Sequence, residues 1–182
     1  RVARDACTLR STSTGATERT GMIVIGIDPG LSGCVAAVHS TDGYIGAEAM
    51  PLAAKPKGRR TNRVDIRALA RIIADFRRLY PGDPSMGVIE EIQSRGGSDA
   101  MSGIAVFGMG YAFGIAHALL AVRTDELIVV SPRRWKAHYG LDANKAESVA
   151  CARRLYGSRL PTQFGHNRAE ALLIAHWGLG IL

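Results

Sequence analysis

The sequence predicts an α/β fold built on a mixed five-stranded sheet flanked by helices, and three observations predict it. Three short β-rich runs open the ordered part of the chain, with only glycine-containing turns between them. A strongly amphipathic helix follows, and after it strand-like and helical segments alternate to the end. Strands joined by tight turns pair antiparallel, whereas strands separated by helices pair parallel, so the two halves together make a mixed sheet.

Residues 23–28 (IVIGID) are apolar and β-branched, as in a buried strand. Residues 33–39 and 44–50 read as the second and third strands. A basic stretch containing Arg59, Arg60 and Arg63 leads into a helix at 65–80, where Ile66, Leu69, Ile73, Phe76 and Tyr80 recur at 3-4-3-4 spacing. Pro81 and Gly82 stop it. Residues 86–93 form a fourth strand. Residues 127–130 form a fifth, short and wholly apolar, and are therefore expected at the centre of the sheet. Ser131 and Pro132 suit the N-cap and first position of a short helix. Helices at 143–156 and 167–178 complete the order βββαβαβααα.

No repeat or composition break divides the chain, so residues 22–182 are expected to form one domain, long enough to bury a core. Residues 1–21 are rich in Ser and Thr and lack the apolar centre of a secretory signal. They read as a disordered or extraneous extension ahead of Met22, with a transit peptide as the alternative. Residues 103–122 carry no formal charge and meet the length rule for a membrane span. The glycines at 103, 108, 110 and 114, together with His117 and the strand that follows, favour a buried helix of an α/β fold instead.

The net charge is +7 and the pI about 9.8, a balance that favours a polyanionic partner, nucleic acid before an anionic membrane surface. Cys7, Cys34 and Cys151 are widely spaced with no CxxC pair, which argues against a disulfide frame or a zinc site and for a reducing compartment.

Three acidic positions carry the chemistry. Asp28 ends the first strand, immediately before the Pro29-Gly30 turn, where a carboxylate is rigidly held yet faces solvent. Glu90 and Glu91 interrupt the fourth strand, and strand alternation puts Glu90 on the face of Val88 and Glu91 on the other. Glu170 lies one helical turn after His166 and Asn167, on a shared face. The plain alternatives are a turn-stabilising Asp, solvated acids on an edge strand, and a helix start capped by Asn167. Carboxylates converging from strand ends and a helix could instead hold two Mg²⁺ ions for in-line phosphodiester attack, with Mn²⁺ as substitute, since hard oxygen ligands select such metals.

The segments IGIDPGLSG (25–33), VIEE (88–91) and HNRAEALLIA (166–175) resemble the RuvC-type Holliday junction resolvases, in particular their phage, bacterial and chloroplast branch. SGIAVFGMGYAFG (102–114), VSPRRWK (130–136) and Lys145 are similar to further segments of that family, so the likeness runs through nearly all of 22–178. The resemblance implies an RNase H-like fold and a homodimer that nicks opposed strands of a four-way DNA junction. It implies Asp28, Glu90 and Glu170 as metal-binding catalytic carboxylates. At 166–167, where such proteins often carry another acid, this chain has His166 and Asn167, either of which is then the fourth site residue.

The expected DNA contacts are Arg59, Arg60, Arg63, Arg95, Arg133, Arg134, Lys136, Lys145 and Arg168, in loops or near helix starts within reach of phosphates. Gly96 and Gly97 would let the backbone approach DNA closely. Phe107, Tyr111 and Phe113 would either wedge at a junction centre or fill the core. Gly110, Gly114 and Ala118 form a small-residue ridge suited to close helix contact across a dimer. The leading reading is a Mg²⁺-dependent junction-resolving endonuclease acting on branched DNA, as a homodimer away from membranes, in bacterial or phage-infected cytoplasm or an organelle. The alternatives are a related nuclease on an RNA/DNA hybrid or single strand, a nucleotide-binding module for which a second phosphate loop is missing, and a junction-binding protein inactive at position 167.

Overall fold

A computed structural model describes residues 21–54, 62–93, 102–142 and 144–181. Arg59, Arg60, Arg95, Gly96 and Gly97 lie outside the described residues, as do almost all of residues 1–21. Five strands run in chain order as β1 (Ile23–Asp28), β2 (Cys34–His39), β3 (Gly43–Ala49), β4 (Ser85–Glu90) and β5 (Glu126–Val130). Among the described residues five α-helices and a 3-10 turn at Gly157–Arg159 accompany them: α1 (Ile66–Arg78), α2 (Gly103–Arg123), α3 (Pro132–Tyr139), α4 (Lys145–Tyr156) and α5 (His166–Leu179).

The sheet order is β3-β2-β1-β4-β5, antiparallel from β3 to β1 and parallel from β1 to β5. Direct turns join the first three strands, while α1 and α2 cross over to the parallel ones, as the element order requires. The alternation of each strand sorts its residues between two cores. Ile23, Ile25, Ile27 and Ile89 face α1 and α2, and Val24, Met86 and Val88 face α3, α4 and α5. Leu69, Ile73 and Phe76 bury the inner stripe of α1, each contributing about 1.5–3 kcal/mol. Ile66, at the first turn of that stripe, is left half exposed.

Two expectations are corrected. Among the described residues β5 lies at the edge of the sheet, paired with β4 alone, and Leu127, Ile128 and Val129 are partly exposed while Val130 is buried. An apolar run reads the same whether a strand or another surface covers its open side. α2 is not a buried helix, because only Ala112, Ala116 and Leu120 are buried along it. Ile104, Val106, Phe107 and Val122 are exposed, Phe107 by 70%. The small ridge at Gly110, Gly114 and Ala118 also faces solvent. Among the described residues α2 is the one helix long and apolar enough to cross a membrane. It connects β4 to β5 as a crossover packed on the sheet, the role the sequence assigned it.

Candidate active site

β1 and β4 are parallel neighbours with Ile27 opposite Ile89, so Asp28 and Glu90 follow side by side at the same sheet end, about 4.8 Å apart across the strands. Both emerge on the face that α5 covers. α5 reaches that close because β1 has no side chain at Gly26: a Cβ there would fall on the backbone of Ala171 and Ala175. The approach brings Glu170, near the start of α5, into the field of both strand carboxylates. Gly33 closes the turn behind Asp28, where any side chain would strike the Asp28 carbonyl. The Gly30 N–H donates to Asp28 Oδ1 at 3.2 Å and fixes that carboxylate.

The site is partly desolvated and crowded with like charge. Burial raises the pKa of Asp28; the Gly30 hydrogen bond opposes the rise and Glu170 adds to it. Burial, then the charge of Asp28, pushes Glu90 up to about 7. Trp135 on α3, fully buried, donates its indole N–H to Glu90 Oε1 at 3.4 Å. Lys136 Nζ stands 3.4 Å from Glu170 Oε1, and Ser148 Oγ of α4 donates to the same oxygen at 3.5 Å. Three helices of one layer thus hold the carboxylates from behind.

The sequence-based assignments fare unevenly. Asp28 and Glu90 end side by side with Glu170 near enough for its charge to act on both, and Glu91 lies exposed beyond the strand end, its N–H given to Val130. β4 stops at Glu90 rather than continuing to 93. Asn167 is not the cap of α5. Gly165 takes that place, and His166 and Asn167 are the first two helical residues. The charge of a protonated His166 reaches Asp28. Both residues, with Ser32, Cys34, Ala49 and Arg168, line an open depression of about 270 Å³ beside the carboxylates. Arg168 is therefore the expected DNA contact that lies in this depression.

Lys136, one of the expected DNA contacts, stands beside the carboxylates and pairs with Glu170. Arg134 lies over the Trp177 ring at 5.3 Å, and Arg63 over Tyr111 at 5.5 Å. Arg133 is exposed, as is Lys145, which lies one turn before Ser148 on α4. Phe107 stacks on Tyr111 at 6.5 Å at the exposed start of α2, while Phe113 packs on the core. Trp135 and Ser148 were missed as site residues, because each meets its carboxylate through packing between segments far apart in the chain. The one sequence signal was Trp135, a large aromatic beside Lys136 in a segment already singled out.

The donor set suits a hard divalent cation: carboxylate oxygens, two of them on acids whose pKa values burial and mutual repulsion raise. As the side chains lie, no three Asp, Glu, His or Cys groups among the described residues stand close enough to share an ion. Glu170 is turned to Lys136.

The sequence matches no protein-family model and no curated protein. In fold, the chain is similar to Thermus thermophilus RuvC in complex with a Holliday junction substrate, with a TM-score of 0.57 and 17% identity over 85% of this chain and 90% of that one. A second Thermus thermophilus RuvC structure matches with a TM-score of 0.50 and 18% identity, over 87% of this chain and 97% of the other. With three antiparallel strands, two parallel ones and carboxylates at the shared end of β1 and β4, the chain has the fold of the RuvC resolvases.

Proposed function

We propose that this protein is a divalent-metal-dependent endonuclease that resolves four-way DNA junctions. The observation that carries the reading is the convergence of Asp28, Glu90 and Glu170 from two strand ends and a helix, on a RuvC fold and in a chain of net charge +7. These three residues would hold Mg²⁺ or Mn²⁺, which supplies activation of water and neutralisation of the leaving oxygen. The chain itself orients the acids through Gly30, Trp135 and Ser148. It also brings Arg168 to the depression beside them, where a backbone phosphate fits.

The exposed apolar face of α2 supports a homodimer. Gly110, Gly114 and Ala118 allow close approach, and Ile104 and Phe107 supply area to bury. A lipid partner fits less well, since α2 lies along the sheet between β4 and β5 and its inner side is already used. A second reading, binding without cleavage, draws on the amide at Asn167 and on the Lys136 contact at Glu170.

Labelled four-way, nicked and linear DNA, incubated with and without Mg²⁺ or Mn²⁺, tests the proposal. Paired nicks confined to the junction and to reactions containing metal are expected. Asp28→Asn, Glu90→Gln and Glu170→Gln should each slow cleavage at least about 10²–10³-fold, the scale of losing one electrostatic stabiliser, with junction binding kept. Metal-independent binding with no cutting by the parent protein would select the second reading.

A further inference from the structure

The outer face of α1 carries a charge pattern that helix stability does not explain. Arg67, Arg71 and Arg78, with Ala74 between them, fall in a narrow arc opposite buried Leu69, Ile73 and Phe76. All three arginines are exposed. Arg78 pairs with Asp75 at 2.9 Å, whereas Arg67 and Arg71 have no hydrogen bond or ion pair among the described residues.

The pattern works against the helix. Arg67 and Arg71 are like charges at i,i+4 and repel. Arg67 also stands in the first turn, where the helix dipole disfavours a cation and the N-cap carboxylate of Asp65 is the one acid that offsets it. Asp75, four residues after Arg71 and paired with Arg78, is the sole acid of α1, so the arc keeps a net positive charge. Local choices that oppose their own element mark a functional surface.

The location gives the surface its use. α1 feeds β4, which is parallel to β1, so α1 starts at the sheet end that holds Asp28 and Glu90, on the opposite face of the sheet from their side chains, and runs away from that end. Exposed Arg63 precedes it at that end. From Arg67 to Arg78 the helix rises about 17 Å, equal to about five base pairs of duplex at 3.4 Å each. At the far end Arg78 lines an open depression of about 430 Å³ with Ala74, Arg77, Val122 and Arg123.

We propose that the outer face of α1 is a phosphate track for one duplex arm of the branched DNA, an inference that rests on the junction reading above. The row is straight, basic and without an exposed aromatic on which an unpaired base would stack, which suits the backbone of a duplex rather than a single strand. Its contacts are to phosphate, so they add affinity and arm orientation without sequence preference.

The test compares the parent protein with the triple variant Arg67→Ala, Arg71→Ala, Arg78→Ala on two four-way junctions. One has arms of about five base pairs, about 17 Å, which end before the arginine row on the far face of the sheet, and the other has arms longer by about 15 base pairs, about 50 Å. On the long-armed junction the triple variant should lower the slope of log affinity against log salt by about 2–3 and weaken binding about tenfold or more. Binding of the short-armed junction and the single-turnover cleavage rate at saturation should stay as in the parent. The triple Lys variant should keep the parent slope. The Ala variant should melt close to the parent temperature, because relieved Arg67–Arg71 repulsion and the helix preference of Ala offset the lost Arg78–Asp75 pair.

An unchanged slope on long arms, or an equal loss on both junctions, would overturn the track while leaving the nuclease reading intact. Failure of the parent protein to bind any branched DNA would remove both.

Discussion

Lys136 Nζ lies 3.4 Å from Glu170 Oε1, with both side chains largely buried, so a cation tethered to α3 neutralises one of three crowded carboxylates. A divalent ion held by the same acids would relieve the same repulsion.

Lys136→Met should therefore leave Glu170 unpaired against Asp28 and Glu90 and destabilise the metal-free protein by about 1–3 kcal/mol. Mn²⁺ should restore more stability to this variant than to the parent. Thermal melts of both proteins with EDTA and with Mn²⁺ measure this, and equal metal-induced shifts would contradict it.

Glu90 sets a pH dependence whose sign follows from its environment. Its pKa in the fold, about 7, lies above the ordinary 4.5, so the folded protein binds this proton more tightly than the unfolded chain does. That contribution to stability is complete below about pH 4.5 and is lost as pH rises through about 7. Asp28, also raised, acts in the same direction. A divalent cation favours the ionised acids, so Mg²⁺ should raise the melting temperature more at pH 8 than at pH 5. A shift independent of pH would rule out Glu90 as a metal-linked acid.

Positions 166 and 167 divide two possibilities for the fourth site residue. If an acid belongs at 167, Asn167→Asp should raise single-turnover cleavage by orders of magnitude and change junction binding little. If His166, whose charge reaches Asp28, is that residue, Asn167→Asp should do little and His166→Ala should abolish cutting. We favour the first outcome, and equal rates for Asn167→Asp and the parent would refute it.

Gly114 offers a test of the dimer that does not disturb the protomer. A Cβ there meets nothing within 4 Å, and replacing a mid-helix Gly stabilises the helix by up to about 1 kcal/mol. Gly114→Arg should accordingly keep the fold, raise or preserve the melting temperature and shift the protein to a monomer in light scattering. A dimer of undiminished mass would place the interface elsewhere.

The sequence by itself determined the order and type of the strands and α-helices and placed two of the three candidate acids, Asp28 and Glu90, on strands. Strand periodicity is local: it puts Asp28 at the end of β1, and parity alone separates Glu90 from Glu91. The helical stripe at Leu69, Ile73 and Phe76 is legible for the same reason. Other features depend on which surfaces meet. The edge position of β5 and the exposed face of α2 follow from how many neighbours the sheet supplies, which an apolar run does not record. Likewise, Lys136 reads as a surface base, and Trp135 and Ser148 as ordinary residues, until α3, α4 and α5 pack together on one face. Only that packing brings Trp135 to Glu90, and Lys136 and Ser148 to Glu170, across separations of 45, 34 and 22 residues, because side chains so distant in sequence meet only where the burial of a shared core holds their backbones together.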